Sequence, residues 1–148
     1  MADPRGVEIL LVEDSAEDAE MTIRALRKHQ IANQIRHVTD GVQALEFIFG
    51  PEPVDVRRKI EDLPKVVLLD LKLPLVDGLE VLRRLKSDER TRQIPVVVMT
   101  SSNQDRDMVE SYKLGTNSYV VKPLEFEKFS EAVGQLGLYW LLVNRMPR

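Results

Sequence analysis

The chain has 148 residues, no cysteine, a formal net charge of -3, 43% hydrophobic residues and 30% charged residues. This balance predicts one globular domain over residues 1–148 and excludes a disordered chain, disulfides and a broad nucleic-acid-binding surface. Since no leader or membrane-length apolar run is evident, we expect a cytoplasmic protein without a membrane partner.

Five apolar runs of strand length alternate with segments of helical periodicity. The predicted strands span residues 7–12, 34–38, 65–69, 96–99 and 118–121. The second is shorter and more polar than the others, which suits the edge of a sheet. Apolar strands separated by helices are typical of a parallel sheet covered on both faces. The sequence therefore predicts an α/β fold with a five-stranded parallel sheet and helices on both faces.

Capping residues mark where the predicted helices begin. The first helix is capped by Asp14 or Ser15, and the second and third open at Asp40-Gly41 and Asp77-Gly78. The fourth helix has few apolar anchors and closes at Gly115, so we expect its position to be adjustable.

A long loop rich in proline and charge spans residues 51–63. It is either a partner contact or a simple excursion of the chain, and the sequence slightly favours the excursion. The two histidines, His29 and His37, are far apart in sequence, so each is expected to donate hydrogen bonds locally and a zinc site is not expected.

Polar residues follow four of the predicted strands. Glu13 and Asp14 follow the first, Asp70 the third, Thr100 the fourth and Lys122 the fifth. If the strands are parallel neighbours, one edge of the sheet holds all five residues. Three clustered carboxylates repel one another unless a divalent cation lies between them, and Mg²⁺ fits best. The pattern predicts a site for phosphoryl transfer.

Within this site, Asp70 is the predicted nucleophile, because it stands alone after the most apolar strand. Glu13 and Asp14 are adjacent and better suited to share a hydrated metal ion, while Thr100 and Lys122 take up charge on the transferring oxygens. Taken singly, Asp14 reads as a helix cap, Thr100 as a strand-end hydroxyl and Lys122 as a solvated charge. Their combination favours the site.

The segments LLVEDS, LLDLKLPLVDG, IPVVVMTSS and GTNSYVVKP together resemble the receiver domain of bacterial two-component response regulators. The resemblance covers nearly the whole chain. It implies a flavodoxin-like doubly wound fold and phosphorylation of Asp70 by a sensor histidine kinase.

The same resemblance implies a role for each matching residue. Asp14, Asp70 and the backbone carbonyl of Lys72 match Mg²⁺ ligands, and Glu13 matches an acid that holds the metal ion through water. Thr100 and Lys122 match the hydroxyl that senses the phosphoryl group and the lysine that binds it. Tyr119 matches an aromatic switch that turns inward when the threonine moves; it also reads as a strand aromatic packed against the fourth helix.

Three features resemble the small single-domain regulators of bacterial phytochromes. These are the long loop before the third strand, the phrase SYKLGTNSYVVKP and the final stretch GLYWLLVNRMPR. This narrower resemblance implies that a bacteriophytochrome is the partner kinase. Because no linker or output domain is evident, we expect the signal to pass by protein contact, without a DNA-binding output domain.

Two other function classes compete with a signalling switch. A phosphatase or phosphotransferase of the haloacid dehalogenase type also uses an aspartyl nucleophile with Mg²⁺, but it requires a second aspartate two residues later, where this chain has Lys72. A constitutive binding module with a vestigial site is disfavoured, because every expected site residue is present.

The C-terminal segment has an apolar stripe at spacings of three and four residues, typical of an extended amphipathic helix. The stripe comprises Phe126, Phe129, Val133, Leu136, Trp140 and Val143. From residue 138 onward Leu138, Leu141 and Leu142 occupy a second face. Because soluble monomers seldom expose such a patch, a homodimer with Trp140 as its anchor is preferred over a tail that folds back on its own domain.

Overall fold

The computed structural model describes residues 9–28, 34–50, 63–101, 105–116 and 118–122. The predictions for the loop over 51–62 lie outside the described residues. So does the predicted C-terminal helix, with its proposed dimer contacts Leu138, Trp140, Leu141 and Leu142.

Strands and helices alternate along the chain as the sequence predicts. The strands are β1 Ile9–Val12, β2 Ile35–Val38, β3 Val66–Leu69, β4 Val96–Thr100 and β5 Ser118–Val121. The helices are α1 Ala16–Lys28, α2 Gly41–Phe49, α3 Gly78–Ser87 and α4 Asp105–Leu114. The prediction that Thr100 follows its strand is wrong by one residue, because Thr100 still pairs with Val121 of β5.

The five strands form one parallel sheet in the order β2-β1-β3-β4-β5. This is a flavodoxin-like doubly wound order, which confirms the expected fold. The more polar β2 lies at one edge, as predicted, and the apolar β3 lies at the centre. The carboxyl end of β3 therefore opens beside both β1 and β4.

Alternate residues of each strand pack against opposite helical layers, because side chains of a strand alternate between the two faces. On one face, Ile9 and Leu11 join a cluster with Leu26 of α1. On the other, Leu10 and Val12 join a larger cluster with Leu82 of α3. The burial of both faces explains why these strands are apolar at nearly every position.

Side-chain caps begin α2 and α3, which confirms two of the predicted helix starts. Asp40 accepts a hydrogen bond from the backbone of Gln43, and Asp77 accepts one from the backbone of Glu80. Gly115 follows the carboxyl end of α4 and has a φ of 107°, a conformation that glycine adopts without strain. Among the described residues, no helix is long and apolar enough to cross a membrane.

Candidate functional site

Backbone hydrogen bonds extend past the last residues of β1, β3 and β5 and fix the residues that follow. The amide of Glu13 donates to the carbonyl of Val38 at 3.0 Å, and the amide of Asp70 donates to Val12 at 3.0 Å. The amide of Lys122 donates to Thr100 at 2.7 Å. The side chains at this edge therefore start from positions that the sheet itself determines.

Three carboxylates meet at this edge. One oxygen from each of Glu13, Asp14 and Asp70 lies within 4.8 Å of the other two. Glu13 and Asp70 are buried, whereas Asp14 is exposed. The cluster thus has two ligands inside the protein and one at the solvent boundary, as an entry path for a cation requires.

The loop after β3 holds the Asp70 carboxylate from the backbone side. The amide of Lys72 donates to Asp70 Oδ1 at 3.1 Å, while the side chain of Lys72 is exposed. A Cβ atom at Gly78 would lie 2.2 Å from the backbone oxygen of Asp70, so the start of α3 approaches Asp70 as closely as only glycine permits.

The ammonium of Lys122 lies among three carboxylates. Its Nζ is 2.6 Å from Glu13 Oε1, 2.9 Å from Asp18 Oδ2 and 3.0 Å from Asp70 Oδ2. Only 9% of the lysine side chain is exposed, so these ion pairs are shielded from water. Lys122 neutralises part of the repulsion that the clustered carboxylates would otherwise exert.

Burial and hydrogen bonding shift two pKa values in this cluster. Burial raises the pKa of Glu13 to about 7, although hydrogen bonds from Lys122 and the Ser15 amide act in the opposite direction. Burial alone would lower the pKa of Lys122, but its hydrogen bonds to Glu13, Asp18 and Asp70 outweigh that effect and raise it. Lys122 is therefore held firmly in its charged form.

The donor set fits a hard divalent cation. Carboxylate oxygens are the ligands that Mg²⁺ and Mn²⁺ prefer. Moreover, Glu13 Oε1 is buried and lies 2.6 Å from the Lys122 ammonium, which offsets part of the cost of burying its charge. One ammonium shared among three carboxylates leaves negative charge at the site that a divalent cation would offset. Glu13, Asp14 and Asp70 could supply the ligands of that cation.

Thr100 and Tyr119 lie on neighbouring strands. Thr100 is fully buried at the end of β4, where it pairs with Val121. Tyr119 pairs with Val98 two positions earlier and packs, partly buried, against the cluster that contains α3. The register thus places both residues on the same face of the sheet.

Two residues at the site were missed by the sequence-based reasoning. Asp18, in the first turn of α1, contacts Lys122. His37 of β2 donates through Nε2 to the backbone carbonyl of Glu13 at 2.7 Å, since a carbonyl can only accept. His37 was expected to donate a hydrogen bond locally, but its partner Glu13 lies 24 positions earlier, after the neighbouring strand β1. An acid three residues after the capping Ser15 was the available signal for Asp18.

Comparison with known proteins gives a consistent match. Residues 9–134 match the family model of the response regulator receiver domain. The probable methanogenesis regulatory protein FilR2 of Methanothrix harundinacea is 42% identical over 139 residues, which cover 94% of this chain and 86% of that protein.

Two solved structures resemble the present fold over most of both chains. The bacteriophytochrome response regulator RtBRR is 45% identical, with a TM-score of 0.77 over 95% of this chain and 84% of its own. The Mn²⁺-bound form of response regulator Rcp1, from a Synechocystis species, is 32% identical, with a TM-score of 0.76 over 96% of this chain and 99% of its own.

Proposed function

The chain belongs to the response regulator receiver domain family of two-component signalling, and on that premise we propose that it accepts a phosphoryl group on Asp70 from a sensor histidine kinase in a Mg²⁺-dependent reaction. The observation that supports this most directly is the environment of Asp70. Its carboxylate is buried, lies 3.0 Å from the Lys122 ammonium and shares a cluster with Glu13 and Asp14.

The proposed transfer uses an Asp70 oxygen as the nucleophile. That oxygen forms a bond to phosphorus, and the bond between phosphorus and the donor breaks, with its electron pair leaving on the donor. The two oxygens of Asp70 have different partners, because the amide of Lys72 donates to Oδ1 and the Lys122 ammonium donates to Oδ2. Lys122 then neutralises charge on the phosphoryl oxygens.

Asp14, Asp70 and the backbone carbonyl of Lys72 are the proposed direct ligands of Mg²⁺, and Glu13 is proposed to hold the ion through water. A cation held there would supply positive charge that offsets the negative charge of the phosphoryl oxygens. Thr100 is proposed to sense the phosphoryl group, and Tyr119, on the same face of the sheet, to pass the change to α4. In this role the protein is a signalling receiver that assists its own phosphorylation and dephosphorylation, and its signal passes by contact with other proteins.

A bacteriophytochrome is the proposed kinase. This is supported by the 45% identity to RtBRR, which is described as a bacteriophytochrome response regulator. A dehalogenase-type phosphatase has less support, because Asp70 follows the third strand and Lys72 occupies the position where that class needs an aspartate.

The nucleophile can be tested with a small phosphoryl donor. Incubation with acetyl phosphate and Mg²⁺ should add one base-labile phosphoryl group per chain, which mass spectrometry maps to Asp70. Asp70→Asn should remove the label. Asp77→Asn makes the same change of charge in the same loop and should keep it, because asparagine caps a helix as well as aspartate. Equal labelling of Asp70→Asn would refute the assignment.

The kinase assignment needs its own experiment. A phosphorylated bacteriophytochrome and an unrelated phosphorylated histidine kinase should be mixed separately with the protein at equal concentrations. Transfer from the phytochrome should be at least tenfold faster. If the unrelated kinase transfers as fast, the phytochrome assignment fails while the assignment of Asp70 stands.

A further inference from the structure

Asp18 contacts the site from α1, although it is not part of the carboxylate cluster that could hold a cation. Its Oδ2 lies 2.9 Å from Lys122 Nζ, and 30% of its side chain is exposed, against 9% for the lysine. The three-carboxylate cluster consists of Glu13, Asp14 and Asp70. Asp18 is thus a fourth carboxylate, located at the solvent boundary, and its side chain pairs with Lys122 in the part of the chain that the structure describes.

The local structure explains why the Asp18 carboxylate is available. Ser15 caps α1 by accepting a hydrogen bond from the Asp18 amide at 3.3 Å. In a complete capping box, the acid at this position would reach back to the serine amide. Here the Ser15 amide donates instead to Glu13 Oε2 at 3.1 Å. The Asp18 carboxylate is therefore not needed for capping and turns to Lys122.

Among the residues that the structure describes, the Lys122 ammonium has three carboxylate neighbours, as many as it has N–H groups. An ammonium offers three donors, and Glu13, Asp18 and Asp70 all lie within 3.0 Å of Nζ. A phosphoryl oxygen can bind this ammonium only if one carboxylate gives way or shares a donor. A cation in the cluster would draw on Glu13 and Asp70, but it would leave Asp18 paired with the lysine.

On the basis of the proposed function, we propose that Asp18 competes with the phosphoryl group for Lys122. This competition weakens retention of the phosphoryl group, while the negative charge of Asp18 favours binding of the divalent cation. Asp18 is a positioning residue, because it acts through the lysine and through its charge. Both effects follow from Coulomb's law: an anion near the site attracts the cation and repels the phosphoryl oxygens.

Neutralising Asp18 should change the affinities for the cation and for the phosphoryl group in opposite directions, which distinguishes this role from a structural one. Loss of a helix cap would lower stability and would weaken both kinds of binding together. Loss of a competing carboxylate should weaken cation binding and strengthen binding of a phosphoryl analogue. The comparison therefore does not depend on how active the phosphorylated protein is.

The experiment compares wild type with Asp18→Asn and Glu17→Gln. Glu17 is exposed in the same helical turn, so Glu17→Gln makes the matched change of charge. Calorimetry first gives the Mg²⁺ affinity and then, at saturating Mg²⁺, the affinity for beryllium trifluoride as the phosphoryl analogue. For Asp18→Asn we expect Mg²⁺ affinity to fall about twofold and analogue affinity to rise about three- to tenfold, as for a partly shielded ion pair.

The conservative variant Asp18→Glu restores the charge and should move both affinities back toward wild type. Should Asp18→Asn fail to fold, Asp18→Ser removes the same charge and gives the same comparison. An unchanged or weaker analogue affinity in these neutral variants, or an equal rise in Glu17→Gln, would overturn the inference. A wild type that binds Mg²⁺ but no analogue would overturn the proposed function, and this inference with it.

Discussion

The Lys122 ammonium lies 3.0 Å from Oδ2 of Asp70, although 52 positions separate these residues in the chain. Asp70 follows the central strand β3, Lys122 follows the edge strand β5, and β4 lies between them. The lysine therefore spans the end of β4, where Thr100 is buried. This contact pairs the proposed nucleophile with a neutralising positive charge, at the edge of the sheet where the proposed sensor Thr100 also lies.

Asp14→Ala should lose most of the Mg²⁺ affinity and, with it, phosphorylation by acetyl phosphate. Asp14 is the exposed member of the carboxylate cluster, so its truncation removes a proposed direct ligand at little cost to folding. Glu13→Ala should reduce the affinity less, because Glu13 is proposed to hold the ion through water. Amide chemical shifts during a Mg²⁺ titration provide the measurement, with the exposed Glu17→Ala as control. Equal binding by wild type and Asp14→Ala would remove Asp14 from the site.

The metal-free protein should lose stability as the pH rises from about 4.5 to about 7. Burial raises the pKa of Glu13 from 4.5 to about 7, so the folded protein binds a proton that the unfolded chain releases across this range. The stabilisation is full below the lower value and is lost as the pH approaches the upper one, by up to about 3 kcal/mol.

Glu13→Gln isolates this effect, because it removes the titrating group and keeps the shape of the side chain. Urea unfolding with a chelator, across the same pH range, should give a flatter profile for the variant than for wild type. Parallel profiles for the two proteins would show that Glu13 does not titrate in this way.

Thr100→Ala should separate phosphorylation from its response. The variant should still accept a phosphoryl group on Asp70. The chemical shifts of Tyr119 and α4, however, should change little on phosphorylation. The reason is that the proposed hydroxyl contact no longer biases the packing of the neighbouring strand. Amide and aromatic chemical shifts before and after phosphorylation are the measurement, and Thr100→Ser should keep the response. Wild-type shift changes in Thr100→Ala would rule out this coupling.

Glu substitutions at Leu138 and Leu142 together should convert a homodimer into a folded monomer. The predicted second apolar face of the C-terminal helix would then present repelling charges to its twin, while Trp140 keeps its place on the first stripe. Sedimentation at matched concentrations tests this, with Met21→Glu as a control on an exposed apolar residue of α1. A wild type that sediments as a monomer throughout the micromolar range would contradict the proposed dimer.

The sequence alone was sufficient to predict the strands, their parallel arrangement and the residues that meet at their carboxyl ends. Apolar runs such as VVLL can be accommodated only where both faces of a sheet are covered, and parallel strands bring their ends to a common edge. The caps at Asp40 and Asp77 were predictable for a similar reason, because each bonds to an amide only three residues away. These are local rules, readable without any knowledge of distant contacts.

Only the tertiary structure decided which groups share Lys122 and how the cluster is charged. Asp18 looks like an ordinary acid of a first helical turn, and its contact with the lysine depends on where α1 lies relative to the end of β5. The raised pKa of Glu13 depends on the burial of its side chain in the fold. The physical reason is that ion pairing and desolvation depend on distances between atoms that are remote in sequence, whereas strand and helix formation depend mainly on the pattern of neighbouring residues.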